Sequence, residues 1–121
     1  MKVCVIGGTG HIGRFLTPGL VRDGHQVTLI TKGETKQTAD PEWTQVNAVQ
    51  AVYELGDGFR DLMKDLDIDV LIDIIGNDVP TLYDNAKHRI EHIILCGSIW
   101  MFGAAKTVPT PDDTQTPCPF E

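Results

Sequence analysis

Residues Gly7-Gly8-Thr9-Gly10-His11-Ile12-Gly13 have the types and spacing to hold a diphosphate. They follow an apolar run, Lys2 to Ile6, and precede a helical period, so the glycines fall on a strand-to-helix turn. In such a turn each glycine has a mechanical task. Gly7 permits the sharp change of direction, Gly10 lets the backbone approach the anion, and Gly13 lets the helix pack close to the strand. Backbone N–H groups near Gly10 to Ile12 then point along the helix dipole at negative charge. The spacing Gly7-x-x-Gly10-x-x-Gly13 predicts a dinucleotide site built from Gly7, Thr9, Gly10, His11, Ile12 and Gly13. The plainer reading is a tight turn that binds nothing. His11 either flanks the diphosphate or fills surface.

The adenosine ribose of a dinucleotide is read at the end of the second strand, about 20 residues beyond the glycines, where NAD calls for Asp or Glu. Here the run Gln26 to Thr31 ends in Lys32 and Gly33. Nothing in it accepts a hydrogen bond from a 2′-hydroxyl as a carboxylate would, and the Lys32 ammonium suits a 2′-phosphate. The expected cofactor is NADP, preferred over NAD, with Thr31 and Lys32 at its ribose. A solvated turn lysine is the bland alternative. Gly76, beside the fourth strand-like run, completes the expected cofactor-binding set.

The remaining reactive residue types read more economically as structure. Cys4, Cys96 and Cys118 are odd in number and lack C-x-x-C spacing. Cys4 and Cys96 sit in apolar runs without a cationic neighbour to lower a thiol pKa, so neither disulfide nor nucleophile is expected. His88 and His92 are four apart, but Ile90 opens a strand-like run between them and no third ligand is near, so no metal is expected. Asp65, Asp67 and Asp69 read as a solvated helix end and turn, and Asp73 as part of a buried strand. Trp43 and Trp100 read as packing.

The elements that must position the glycine turn alternate between strand-like runs and helical periods, the layout of a parallel sheet with crossover helices. Strands are expected at Lys2–Ile6, Gln26–Thr31, Asp69–Ile75 and Ile90–Cys96. Ile12, Phe15, Leu16, Leu20 and Val21 give a helix within His11–Asp23, with a kink expected near Arg14 to Pro18 because Pro18 lacks a backbone donor. Phe59, Leu62, Met63 and Leu66 give a helix ending near Leu66, and Pro80–Arg89 leaves room for a short one. Glu34 to Gly58 admits two readings. In the preferred one a helix opens at Asp40-Pro41-Glu42 and the third strand lies near Ala51–Leu55; in the other the strand is Thr44–Val49. The expected fold is α/β, a doubly wound (Rossmann) parallel sheet of about five strands in the order 3-2-1-4-5, with helices on both faces.

With these elements in place the chain resembles the extended short-chain dehydrogenase/reductase superfamily, its NAD-dependent epimerase/dehydratase group. Lys2–Gly13, the Gly24-His25 turn and the second strand follow that pattern without gaps. Leu95-Cys96-Gly97-Ser98-Ile99-Trp100-Met101-Phe102-Gly103 resembles the fifth-strand segment, which typically ends in Ser-x-x-x-Tyr-Gly. Phe102 stands where tyrosine is usual. The resemblance implies that Ser98 is the catalytic serine, hydrogen-bonding the substrate oxygen at the centre of hydride chemistry, and that Asp57 is placed to meet the adenine edge. The family's acid/base pair is a helical Tyr-x-x-x-Lys, in which the lysine lowers the tyrosine pKa and holds the nicotinamide ribose. Its usual place after the serine falls beyond Glu121. Tyr83-x-x-x-Lys87 has the spacing but precedes Ser98. The connection from Pro80 to Ile90 is short, as in the abbreviated reductase-like branch, so Asn85 is not assigned the family's asparagine role.

The resemblance therefore divides the chain into an NAD(P)-binding Rossmann domain, residues 1–103, and an irregular Pro/Thr-rich tail, residues 104–121, leading to a further part. The activity implied for the longer enzyme is hydride transfer at a carbinol or carbonyl carbon of a small-molecule substrate such as a nucleotide sugar, this chain being inactive alone. The alternative is a non-catalytic NAD(P)-binding or redox-sensing regulatory module.

Composition sets the outer bounds. At 121 residues, 41% hydrophobic and 22% charged, the chain is one folded domain rather than two. A net charge of −7 argues against a nucleic-acid partner bound through bulk charge. No apolar run approaches the ~18–20 residues of a membrane span, and none has a signal-peptide layout, so no membrane partner and a cytoplasmic location are expected. An apolar fifth strand at a sheet edge is a template for association, and a homodimer through Ile93 to Ser98 or the tail is expected.

Overall fold

The computed structural model describes residues 1–33, 37–51, 57–76 and 79–98. Its elements run β1 (Lys2–Ile6), α1 (Gly13–Arg22), β2 (Gln26–Thr31), a 3-10 turn (Pro41–Gln45), β3 (Asn47–Gln50), α2 (Asp57–Asp65), β4 (Val70–Asp73), α3 (Val79–Ala86) and β5 (His92–Leu95). The described strands form one parallel sheet in the order β3-β2-β1-β4-β5, as expected.

Strand β1 is apolar from Val3 to Ile6 because helices cover both faces of its sheet. Successive side chains point to opposite faces. Val3 and Val5 join Val27, Leu29, Val70 and Ile72 beneath Leu16, Leu20 and Val21 of α1 and the buried Trp43. Cys4 and Ile6 turn the other way, with Ile30 and Leu71, toward Phe59 and Met63 of α2 and Leu82 and Ala86 of α3. The amphipathic spacing of Phe59, Leu62, Met63 and Leu66 thus faces this second core. Beyond the end of α2, Arg89 donates to the carbonyls of Met63 at 2.9 Å and Leu66 at 3.4 Å, tying that end to the α3–β5 connection.

One expectation is corrected. The third strand is Asn47–Gln50, not Ala51–Leu55; residues 52–56 lie outside the described set. The reason is the short 3-10 turn at Pro41–Gln45: one tight turn returns the chain to the sheet earlier than a full helix would. Thr28 to Thr31 then pair in register with Asn47 to Gln50. Asp40 precedes this turn but does not cap it through its side chain. Its carboxylate instead takes the Thr38 hydroxyl and Arg22, and Arg22 also reaches Glu42 at 3.0 Å.

Pro18 lies inside a continuous α1, as the helical period suggests. Proline removes the N–H that would have bonded the carbonyl four residues earlier. That carbonyl belongs to Arg14; the Thr38 hydroxyl oxygen lies 3.5 Å from it but gives its one proton to the nearer Asp40 carboxylate. Thr38 also accepts from Trp43 Nε1 at 2.9 Å, so this hydroxyl is held by Asp40 and the 3-10 turn. β1 and β2 have the expected bounds, α1, β4 and β5 lie one or two residues inside theirs, and α3 runs Val79–Ala86 where Pro80–Arg89 is expected. The Phe102 position and the tail, residues 104–121, lie outside the described residues.

Candidate functional site

The C-terminal ends of the parallel strands open onto a groove of about 460 Å³, lined by Ile6, Gly7 and Thr9 after β1, Ile30, Thr31 and Lys32 at β2, Ala51 after β3 and Ile75 after β4. Ligands of open α/β sheets bind at this edge, where the chain switches from one side of β1 to the other.

The glycine turn is held from three sides. Gly7 has φ +82°, which favours glycine, and a β-carbon there would stand 2.9 Å from Ile75 Cγ1. Gly8 is buried; its carbonyl accepts from the Thr17 hydroxyl at 3.1 Å, and Thr17 is itself fully buried. Gly13 opens α1 directly against the Gly7–Gly8 backbone, so the close packing expected of Gly13 is made on the turn. Gly10 differs from these: the nearest atom to an added β-carbon is the Gly7 carbonyl oxygen, at an ordinary 3.5 Å. Among the described residues Gly10 has room for a β-carbon.

The Gly10 N–H is spent on the Gly7 carbonyl at 3.1 Å. His11 and Ile12 are both exposed, and among the described residues no carbonyl takes their N–H groups. These are the orphan donors of a helix start.

At the end of β2 the chain turns sharply. Gly33 has φ +111°, its N–H donates to Thr31 Oγ1 at 3.2 Å, and Gln50 Nε2 donates to the Lys32 carbonyl at 3.3 Å. Lys32 is exposed at the groove and makes no ion pair among the described residues.

Asp73 ends β4 fully buried, and its role in the site was not legible beforehand. Its carboxylate accepts the N–H of Ile75 at 2.9 Å and of Gly76 at 3.2 Å, fixing the turn in which Gly76 takes φ +68°. A β-carbon on Gly76 would lie 3.6 Å from the Cys96 carbonyl, and the Cys96 N–H donates to the Asp73 carbonyl at 2.9 Å. The turn after β4 therefore touches the segment after β5, where Ser98 stands exposed two residues past Cys96. The groove lining includes Gly7, Thr9, Thr31 and Lys32; Gly10, His11, Ile12 and Gly13 continue the turn, Gly76 follows the lining residue Ile75, and Ser98 is not among the lining residues. Asp57 opens α2, and its side chain is outside the described residues.

Tyr83 and Lys87 line a separate depression between α3 and β5. The Lys87 ammonium lies 5.6 Å from the Tyr83 ring centroid and 2.7 Å from Asp84, whose hydrogen bond raises the lysine pKa. His88 follows α3 and His92 lies in β5, so they share no helix. Burial pushes the Cys4 thiol up to about 12, while Cys96 is exposed.

Together the sheet order, the glycine turn and the groove define a Rossmann-type α/β nucleotide-binding fold. Residues 3–120 match the sequence profile of the NAD dependent epimerase/dehydratase family, and the chain belongs to that family. Among curated relatives it is 29% identical to the chloroplast stem-loop binding protein of 41 kDa b of Arabidopsis thaliana, over 89% of this chain and 32% of that protein. The fold is similar to that of the Bordetella bronchiseptica enzyme WbmG in complex with NAD and UDP (TM-score 0.76, 14% identity, 97% of this chain and 44% of that one). It is equally similar to the epimerase Mth375 of Methanothermobacter thermautotrophicus (TM-score 0.76, 17% identity, 95% and 40%). The chain thus spans about a third of the curated relative and under half of these solved structures. No helix among the described residues is long and apolar enough to cross a membrane.

Proposed function

We propose that this chain is the cofactor-binding part of an NADP-preferring member of the family, acting on a small molecule such as a nucleotide sugar. The observation that carries the reading is the groove itself: Thr31 and Lys32 line it at the end of β2, and none of its lining residues is a carboxylate. A 2′-hydroxyl would lack its usual acceptor there, whereas a 2′-phosphate would meet an ammonium. The residues present also fit the rest of a dinucleotide. Gly10 leaves space for close approach, and the exposed N–H groups of His11 and Ile12 offer donors to a diphosphate.

In this reading Gly7, Thr9, Gly10, His11, Ile12 and Gly13 hold the diphosphate, Thr31 and Lys32 the ribose phosphate, and Gly76 borders the nicotinamide half. When bound, a nicotinamide supplies hydride transfer to or from a carbinol or carbonyl carbon. Ser98 orients the substrate by donating a hydrogen bond to the reacting oxygen. No Tyr-x-x-x-Lys follows Ser98 within the 121 residues, and the chain alone binds cofactor without turning over. Its net charge of −7 speaks against a nucleic-acid partner. The exposed Ile94 and Leu95 of β5 give a homodimer its contact.

Isothermal titration of the chain tests the cofactor reading. NADPH is expected to bind at least tenfold more tightly than NADH; equal affinity, or tighter NADH, would overturn the NADP assignment. Hydride transfer by the chain alone would overturn its inactivity.

A further inference from the structure

We propose that Gln50 is a positioning residue for Lys32, holding the turn from which that lysine meets the ribose phosphate. The inference deepens the NADP reading above and rests on it.

Gln50 ends β3 at the rim of the groove. β2 and β3 run parallel with Thr31 paired to Gln50, so both strands finish on the same edge of the sheet. The next residue, Ala51, lines the groove, and its N–H donates to the Thr31 carbonyl at 2.9 Å. On the neighbouring strand end Thr31 and Lys32 line the same groove. The Gln50 side chain crosses from one strand end to the other, where its Nε2 donates to the Lys32 carbonyl at 3.3 Å. The same side chain covers Gly33. A β-carbon on Gly33 would stand 2.6 Å from Gln50 Nε2 and 3.1 Å from its Cδ. A hydrogen bond and a close packing contact thus bring one side chain onto both residues that follow β2.

The turn needs such a tie. Gly33, at φ +111°, is the residue type with the most backbone freedom to lose, and its N–H bonds back inside the turn, to Thr31 Oγ1 at 3.2 Å. Gln50 holds the turn from a different strand. Lys32 carries its ammonium on a flexible four-carbon stem, so the region that ammonium can reach is set first by the backbone at its root. Fixing the Lys32 carbonyl and Gly33 fixes that root, and less ordering remains to be done when an anion binds. Gln50 itself is exposed, so ordering its side chain adds little to overall stability. Its effect falls on the turn. A 2′-phosphate draws on the Lys32 charge, whereas a 2′-hydroxyl does not, so the contribution of Gln50 is confined to ligands that carry the phosphate.

The experiment titrates 2′,5′-ADP and 5′-AMP into the chain, its Gln50→Met and Lys32→Met variants, and the variant carrying both changes. Methionine keeps the length of glutamine and lacks the donor. The wild-type chain is expected to prefer 2′,5′-ADP. Gln50→Met should weaken 2′,5′-ADP about fivefold, the worth of one hydrogen bond, and leave 5′-AMP and the thermal midpoint nearly unchanged. Lys32→Met should bring 2′,5′-ADP down to the affinity of 5′-AMP, and adding Gln50→Met to it should change nothing further. If wild type prefers 2′,5′-ADP and Gln50→Met binds it as tightly, the inference fails and the NADP reading stands. If Gln50→Met weakens both ligands alike, or weakens 2′,5′-ADP as much in the Lys32→Met background, Gln50 does not act through Lys32 and the inference is again wrong. A wild type that binds both ligands equally overturns the NADP reading and the inference with it.

Discussion

A β-carbon placed on Gly13 would stand 2.4 Å from the Cα of Gly8, closer than real side chains approach backbone. The start of α1 therefore lies against the turn that precedes it with no space for any other residue. Gly10, three residues earlier, has open surroundings. The two positions should respond differently. Gly13→Ala is expected to cost about 3 kcal/mol or more by forcing backbone apart. Gly10→Ala should keep stability within about 0.5 kcal/mol of wild type while cofactor affinity falls at least tenfold. Urea unfolding paired with titration reads both quantities, and equal destabilisation by the two variants would refute the distinction.

Thr17 is the second support of the turn. Its hydroxyl is buried and donates to the Gly8 carbonyl. Thr17→Val keeps the shape and leaves that carbonyl unpaired, which should cost about 1–3 kcal/mol. Thr17→Ser keeps the hydroxyl, and its cofactor affinity should stay near wild type. Should the valine variant match wild type in denaturant midpoint, the bond has no structural weight.

Cys4 makes a pH prediction whose sign follows from burial. Its thiol is pushed from an ordinary 9.0 up to about 12 in the folded chain. Between these values the folded state keeps a proton that the unfolded state releases. The contribution to stability is full below pH 9 and declines as pH rises through the window, by up to about 1.4 kcal/mol per pH unit. Cys4→Ala should flatten that decline, measured by urea unfolding at several pH values. In a Cys118→Ser background, a thiol reagent near neutral pH should label the exposed Cys96 and spare Cys4. Rapid labelling of Cys4 in the folded chain would contradict its burial.

The edge strand carries the association prediction. β5 pairs with β4 and, among the described residues, with no other strand, and Ile94 is 52% exposed. Sedimentation of the chain should show a dimer, and Ile94→Lys should shift it to monomer with an unchanged far-UV spectrum. A monomeric wild type at high concentration counts against the edge as an interface.

The glycine spacing, the alternation of apolar runs with helical periods and the missing carboxylate after Thr31 are local properties. They were legible because each depends on residues close together in sequence: a strand's period, a turn's conformational demand, the residue type at a strand end. From them follow the sheet order and the placement of Gly7, Thr9, Thr31 and Lys32 around one groove. What the sequence left open depended on contacts between distant segments. The third strand's position was decided by pairing with Thr28 to Thr31 and by a one-turn connection, neither of which has a local signature. Arg22 meets Asp40 and Glu42, 18 and 20 positions later, because the 3-10 turn returns beside α1. The buried tasks of Thr17 and Asp73 likewise appear only once the chain is folded. A hydrogen bond to a partner many residues away is chosen by the tertiary fold, whereas periodicity and backbone conformation are written residue by residue.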